Sequence, residues 1–258
     1  MMLVSKKNCK FPKRKLTSHK GDSGRVLIIG GSEEFVGAPI LAAIAAFKAG
    51  VDLVEVVAPQ KVAWAINTYN PNIITHKLKC REFSSAQIPA IMKFVNKADA
   101  VLIGNGIGRS KQKLSFMRTL LEKIKKPLVI DADALHAVNI GKMKTNFICT
   151  PHHREYEVMR VNCKYQEKYL SEEKIILLKG NKDKILTGKK IYINETGVPE
   201  MTVGGTGDIL AGLCVGFLAQ KLSPLQSAIN SAWLCGDAGE KAKKKRVTFT
   251  ATELLSFI

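Results

Sequence analysis

Short apolar runs alternate along this chain with longer stretches of amphipathic period. Residues 25–29 (RVLII), 52–57 (DLVEVV), 99–103 (DAVLI), 127–130 (PLVI), 147–150 (FICT) and 175–178 (IILL) are nearly continuous in apolar, often β-branched side chains. Such runs suit strands buried on both faces of a parallel sheet, where a polar–apolar alternation would leave charges in the core. Between the first two, Gly37-Ala38-Pro39 opens a helix in which Pro39 is tolerated because the first turn needs no N–H, and Gly50 closes it. Its small residues Ala42, Ala43, Ala45 and Ala46 allow close packing against a neighbour. Strand, helix and strand make a right-handed βαβ unit. Further helices are predicted over 61–68, 87–96 and 111–124, and two strands over 184–187 and 190–194 turn at Gly188, an antiparallel edge. A helix after Gly207, another over 224–241 and an amphipathic piece over 251–258 close the chain. No repeat, low-complexity tract or linker divides it. The expectation is a basic leader, residues 1–18, and one three-layer α/β domain over 19–258, with a mostly parallel central sheet.

In such a sheet ligands sit outside the carboxyl ends of the strands, and there the chemistry-bearing residues collect. Gly30-Gly31 follows the first strand, Gly104-Asn105-Gly106-Ile107-Gly108-Arg109 the third, Asp131 and Asp133 the fourth, His152 the fifth and Lys179 the sixth. The two aspartates can face a phosphate-bound magnesium through water or cap a short helix. His152 can meet a ligand or be a polar surface group. Gly204-Gly205-Thr206-Gly207-Asp208 precedes the most apolar helix of the chain; glycines let backbone N–H groups approach a phosphate at a positive helix end. Asp208 can act there as a general base or merely cap the helix. Neither Gly-Lys-Ser/Thr nor Gly-x-Gly-x-x-Gly is matched.

Composition narrows the partners. Forty Lys and Arg against twenty-two Asp and Glu give +18, but the basic residues are scattered and aromatics are only 7%, so no stacking platform for nucleic acid is evident. Six cysteines without a CxxC pair read as reduced, mostly buried thiols, not zinc ligands or disulfides. Residues 1–15 lack the apolar segment of a secretory signal and no apolar run could span a bilayer, which points to the cytoplasm and no membrane association.

Taken in order, HKGDSGRVLIIGGS (19–32), GAPILAA (37–43), GNGIG (104–108), VIDADAL (129–135), TPHHRE (150–155), LLKG (177–180) and GGTGDILAG (204–212) resemble the ADP/ATP-dependent NAD(P)H-hydrate dehydratases of the ribokinase-like superfamily. The resemblance implies a three-layer ribokinase-like fold and dehydration of (6S)-NADHX or NADPHX to NADH or NADPH. It implies a nicotinamide hydrate held by Ala38, Gly106, His152 and Asp208, and a nucleotide along Lys179, Gly180, Asn181, Lys182 and Asp183 and against Gly207. Asp208 would be the base, and the N–H groups of Gly205, Thr206 and Gly207 would hold developing charge. ADP or ATP is the implied co-substrate, with Mg2+ on its phosphates and no dedicated metal cage. We expect a homo-oligomer, and a separate epimerase as partner, since many relatives carry a fused epimerase half. The chain departs from the family pattern in three places. Asn105 stands where Pro is usual, His153-Arg154 where Pro-Gly is usual, and residues 181–184 where a small Gly- and Thr-containing turn is usual. Two alternatives remain: a ribokinase-like kinase of the hydroxyethylthiazole or hydroxymethylpyrimidine type, and a basic nucleotide- or nucleic-acid-binding protein without catalysis.

Overall fold

All six apolar runs are strands of one sheet in the structure, a computed structural model that describes residues 1–14, 16–162 and 167–258. In chain order the strands are β1 (Met2–Leu3), β2 (Arg25–Ile29), β3 (Leu53–Pro59), β4 (Ile74–Leu78), β5 (Ala100–Ile103), β6 (Leu128–Ile130), β7 (Phe147–Cys149), β8 (Lys174–Leu178), β9 (Asp183–Leu186) and β10 (Ile191–Asn194). Their spatial order is β1-β10-β9-β8-β7-β6-β5-β2-β3-β4, and β4 through β8 are parallel across that span. The expected antiparallel edge is β8-β9-β10. Outside it the first residues of the chain add a parallel strand, with Met2 opposite Tyr192.

Because side chains alternate across a strand, each run feeds two cores. Val26, Ile28, Leu102, Val129, Ile148 and Ile175 face one layer, with α1 (Gly37–Lys48), α2 (Gln60–Tyr69), α6 (Thr206–Ala219), α7 (Pro224–Lys245) and α8 (Ala251–Leu254). Leu27, Ile29, Val101, Ile103, Leu128 and Phe147 face the other, with α3 (Ile88–Val95), α4 (Lys111–Lys123) and α5 (His153–Asn162).

The tightest helix pair is α1 against α6. A Cβ on Gly212 would lie 2.2 Å from the Ala42 carbonyl oxygen, and one on Gly216 would lie 2.6 Å from the Ala49 Cβ. The small residues of both helices thus let two backbones touch, with the helices running the same way.

Of the cysteines, Cys149, Cys214 and Cys235 are buried and Cys9 and Cys80 half-buried, all outside any disulfide; Cys163 lies outside the described residues. Burial pushes the Cys214 and Cys235 thiols up to about 12, which makes them inert. Among the described residues no helix is long and apolar enough to cross a membrane.

Candidate active site

Parallel strands bring their carboxyl ends to one rim, and a glycine controls how closely two of those ends approach. Gly104 follows β5 with φ of +124°, and a Cβ there would stand 1.9 Å from the Asp131 carbonyl oxygen. Only glycine fits, and Asn105 then enters the interior beside the end of β6. The Asn105 amide nitrogen donates to Asp131 Oδ2 at 3.0 Å and to Asp208 Oδ1 at 2.6 Å.

Asp131 is the hub of this rim. It is 2% exposed, and its Oδ1 also accepts from the Thr150 hydroxyl at 2.8 Å and the Lys179 ammonium at 3.0 Å. Thr150 follows β7 and Lys179 follows β8, so four successive strand ends meet in one hydrogen-bonded cluster. Burial works against the Lys179 charge, but Asp131 and Glu155 outweigh it and hold this ammonium above the usual lysine range. Asp133 turns outward instead, accepting from the Gly108 N–H at 2.7 Å and facing the Arg109 guanidinium at 3.5 Å.

The cradle itself is built by Gly205, the residue before α6, with φ of +100°. A Cβ there would lie 2.5 Å from Leu41 Cδ1, so the turn requires glycine for conformation and for space. No side chain of the preceding residue caps α6, and α1 likewise starts uncapped with no acid in its first turn. Elsewhere Ser110, Ser223 and Thr250 do cap α4, α7 and α8. Two parallel helices therefore present unsatisfied N–H groups at one rim, an arrangement suited to anions. In the first turn of α6, the Asp208 carboxylate accepts the Asn105 amide from across the rim, a contact that a capping role alone does not call for. Burial above all, then the charge of Asp131, pushes Asp208 up to about 7, against the pull of Asn105 and Lys179. A carboxyl group so tuned accepts protons near neutral pH.

The other expected residues divide. Gly207 adjoins Lys179, since a Cβ on it would stand 3.2 Å from the ammonium. Ala38 and Gly106 adjoin each other, a Cβ on Gly106 falling 3.5 Å from that of Ala38 and 2.7 Å from that of Phe35. His152 is exposed and pairs by backbone with Lys179, but its ring is engaged. Nδ1 accepts the Glu155 N–H at 3.2 Å while Glu155 Oε2 accepts the His152 N–H at 2.8 Å, a reciprocal cap on α5. The Thr206 hydroxyl lies 3.0 Å from the Met201 carbonyl and 3.1 Å from that of Val203, so it holds its own loop and only its N–H faces the cradle. Gly180 to Asp183 form a surface turn closed by the Gly180 N–H on Asp183 Oδ1 at 3.2 Å, with Asn194 on Oδ2 at 3.2 Å. Burial raises the Asp183 carboxyl. Lys182 pairs with Glu195 at 2.5 Å, and Asn181 is exposed. Asn105, Thr150 and the full reach of Asp131 were not among the expected ligand contacts; each stands at a strand's carboxyl end, which was their one signal.

A parallel sheet with an antiparallel edge, and a glycine cradle opening an apolar helix beside a carboxylate and a lysine, define the ribokinase-like class of α/β proteins. Within it the chain belongs to the NAD(P)H-hydrate dehydratase family, whose model matches residues 26–258. It is 35% identical over 249 residues to the ADP-dependent (S)-NAD(P)H-hydrate dehydratase of Nitrosopumilus maritimus, covering 91% of this chain and 86% of that protein. It is 38% identical over 267 residues to the bifunctional NAD(P)H-hydrate repair enzyme of Methanothermobacter thermautotrophicus, covering 96% of this chain and 51% of that protein. The chain thus spans about half the length of the bifunctional curated relatives it matches. The fold is shared with the Bacillus subtilis ADP/ATP-dependent NAD(P)H-hydrate dehydratase co-crystallised with ATP and Mg2+, at a TM-score of 0.78, 24% identity and coverage of 95% and 91% of the two chains.

Proposed function

We propose that the protein dehydrates the (6S) hydrate of NADH or NADPH at the expense of ADP or ATP. The observation that carries the reading is the Asp208 carboxyl, brought to about 7, at the uncapped start of α6 beside Gly207 and Lys179. Family membership supplies the substrate class. The hydrated nicotinamide lies against Ala38, Gly106 and His152, and the nucleotide's terminal phosphates lie in the cradle at Gly205 to Gly207. Asp208 removes the proton from the hydroxyl on C6 as that oxygen bonds to the terminal phosphorus and the bond from phosphorus to the bridging oxygen breaks. The backbone N–H groups of Thr206 and Gly207 and the Lys179 ammonium face the charge that develops. The ring nitrogen's electron pair then expels phosphate from C6, and a proton passes from C5 to the departing phosphate, forming the C5–C6 double bond that restores the dihydronicotinamide; AMP is left from ADP, or ADP from ATP.

Mg2+ fits as a companion of the nucleotide phosphates, whose charge it offsets. Among the described residues no cluster of three His, Cys, Asp or Glu could hold it. Both Asp131 oxygens are taken by Asn105, Thr150 and Lys179. Asn181, Lys182 and Asp183 belong to the nucleotide side only through the exposed face of their turn. Free thiols fit a cytoplasmic setting; a homo-oligomer and a separate epimerase complete the reading.

The test mixes hydrated NADH with the protein, Mg2+ and ADP or ATP and follows the near-ultraviolet absorbance of reduced nicotinamide. Recovery with equal consumption of nucleotide is expected. Accumulation of a phosphorylated small molecule while hydrates are ignored would replace the reading with a kinase.

A further inference from the structure

We propose that Asn105 is a positioning residue: its one amide nitrogen bridges Asp131 and Asp208 and holds the Asp208 carboxylate in the cradle in the form that accepts a proton. This deepens the dehydratase reading and rests on it for the identity of the base. The geometry is specific. An amide nitrogen carries two hydrogens, and here one serves Asp131 Oδ2 at 3.0 Å and the other Asp208 Oδ1 at 2.6 Å. Asn105 is completely buried, and its Oδ1 has no hydrogen-bond partner. A residue kept for packing alone would not bury an orphan oxygen, since that costs stability which an apolar side chain of the same shape avoids. Nor can the amide turn over, because rotation would aim Oδ1 at two carboxylates.

The charges around Asp208 show why a bridge is needed. Asp131 bears on it from the end of β6, and Asp133, although turned toward Gly108 and Arg109, adds a smaller like charge from the residues that follow; both oppose its ionisation. Lys179 faces it from the end of β8 and favours ionisation, but that ammonium is hydrogen-bonded to Asp131. Asp131 is also hydrogen-bonded by Lys179 and Thr150, and its charge opposes ionisation of Asp208. Asn105, from the end of β5, donates to both anions at once and separates them with a neutral group. Without it Asp208 would retain its proton through neutral pH and leave the base disarmed.

The experiment uses the whole chain with Asn105→Leu, which keeps the branched outline but is larger and without donors, and with Asn105→Ser, which is smaller and keeps one donor. The first readout needs no substrate: the carbon-13 shift of the Asp208 carboxyl followed against pH, assigned with Asp208→Asn. Its midpoint should rise by about one pH unit in Asn105→Leu and by less in Asn105→Ser. The second readout is turnover of hydrated NADH against pH. The acid limb should move up with the carboxyl midpoint, so that turnover falls about fivefold at neutral pH, approaches about a tenfold loss in acid buffer, and recovers in alkaline buffer. A purely structural role predicts loss at every pH with an unmoved midpoint, and that result overturns the proposal. If Asn105→Leu does not fold, an unmoved midpoint in Asn105→Ser overturns it equally. A shifted midpoint in a protein that never dehydrates the hydrate would sink the dehydratase reading and leave the bridge standing.

Discussion

Replacing Asp208 by Asn should make the protein more stable and nearly inactive, and both magnitudes follow from its surroundings. In the fold this carboxyl moves from its ordinary 3.8 to about 7. Each pH unit of such a move is about 1.4 kcal/mol, so the ionised group burdens the native state by about 4 kcal/mol above neutrality. Asn keeps the acceptor that Asn105 uses and removes the charge that Asp131 repels. The buried amide has a desolvation cost of its own, so we expect a gain of about 2–4 kcal/mol, or about 5–10 °C in Tm for a chain of this size. Since the native pKa lies above the unfolded one, native protein binds the extra proton between them, and wild-type stability from this site falls as pH rises from about 4 to about 7. The Tm difference should therefore be absent at the acid end of that window and full above pH 7. Turnover should fall by about 100- to 10,000-fold while both ligands still bind. Calorimetric melting of the two proteins across that pH range, with turnover measured on the same samples, settles both. Near-normal turnover would refute the role as base; a lower Tm at alkaline pH would show that the carboxylate holds the helix start together.

Gly207→Ala should weaken nucleotide binding about tenfold or more, because the new methyl would stand 3.2 Å from the Lys179 ammonium and cover the cradle. Gly204→Ala, whose Cβ meets nothing within 4 Å, should leave affinity unchanged, so titration calorimetry on the pair separates crowding from a general effect of losing glycine. Lys179→Met removes the partner of the buried Asp131 carboxylate and should lower stability by about 3–5 kcal/mol in urea unfolding; no loss would mean that the pair does not support the native state. His152→Ala should weaken hydrate binding more than nucleotide binding; equal effects on both would restrict His152 to capping α5.

Most of the sheet was legible because its central strands are covered on both faces and so cannot carry polar alternation. The misses have the opposite cause. Ile74–Leu78 (ITHKL) is an edge strand with a half-exposed face, and its mixed composition hides it. Met2–Leu3 is two residues long and exposed, and α5 is too polar to show a helical apolar stripe. In the site, the positions were legible and the wiring was not. Asn105 and Asp208 are 103 residues apart, and Lys179 and Asp131 are 48 apart. Strand ends announce a rim, but which amide meets which carboxylate depends on strand order across the sheet. Asn105 stood out in the sequence as a departure from the family pattern, without a hint of what it touches.

The contact of α1 with α6 sets a ruler inside this protein. Ala38 lies in the first turn of one helix and Asp208 in the first turn of the other. Gly212 against Ala42 and Gly216 against Ala49 lock the two axes in length and in depth. Under the proposed reaction the hydroxyl and the phosphorus are then delivered by a single rigid body, and their separation cannot drift with thermal sliding of one helix past the other. Any opening that admits the dinucleotide hydrate and the adenine mononucleotide must come from the loops around this pair, with the gauge between nucleophile and electrophile left untouched.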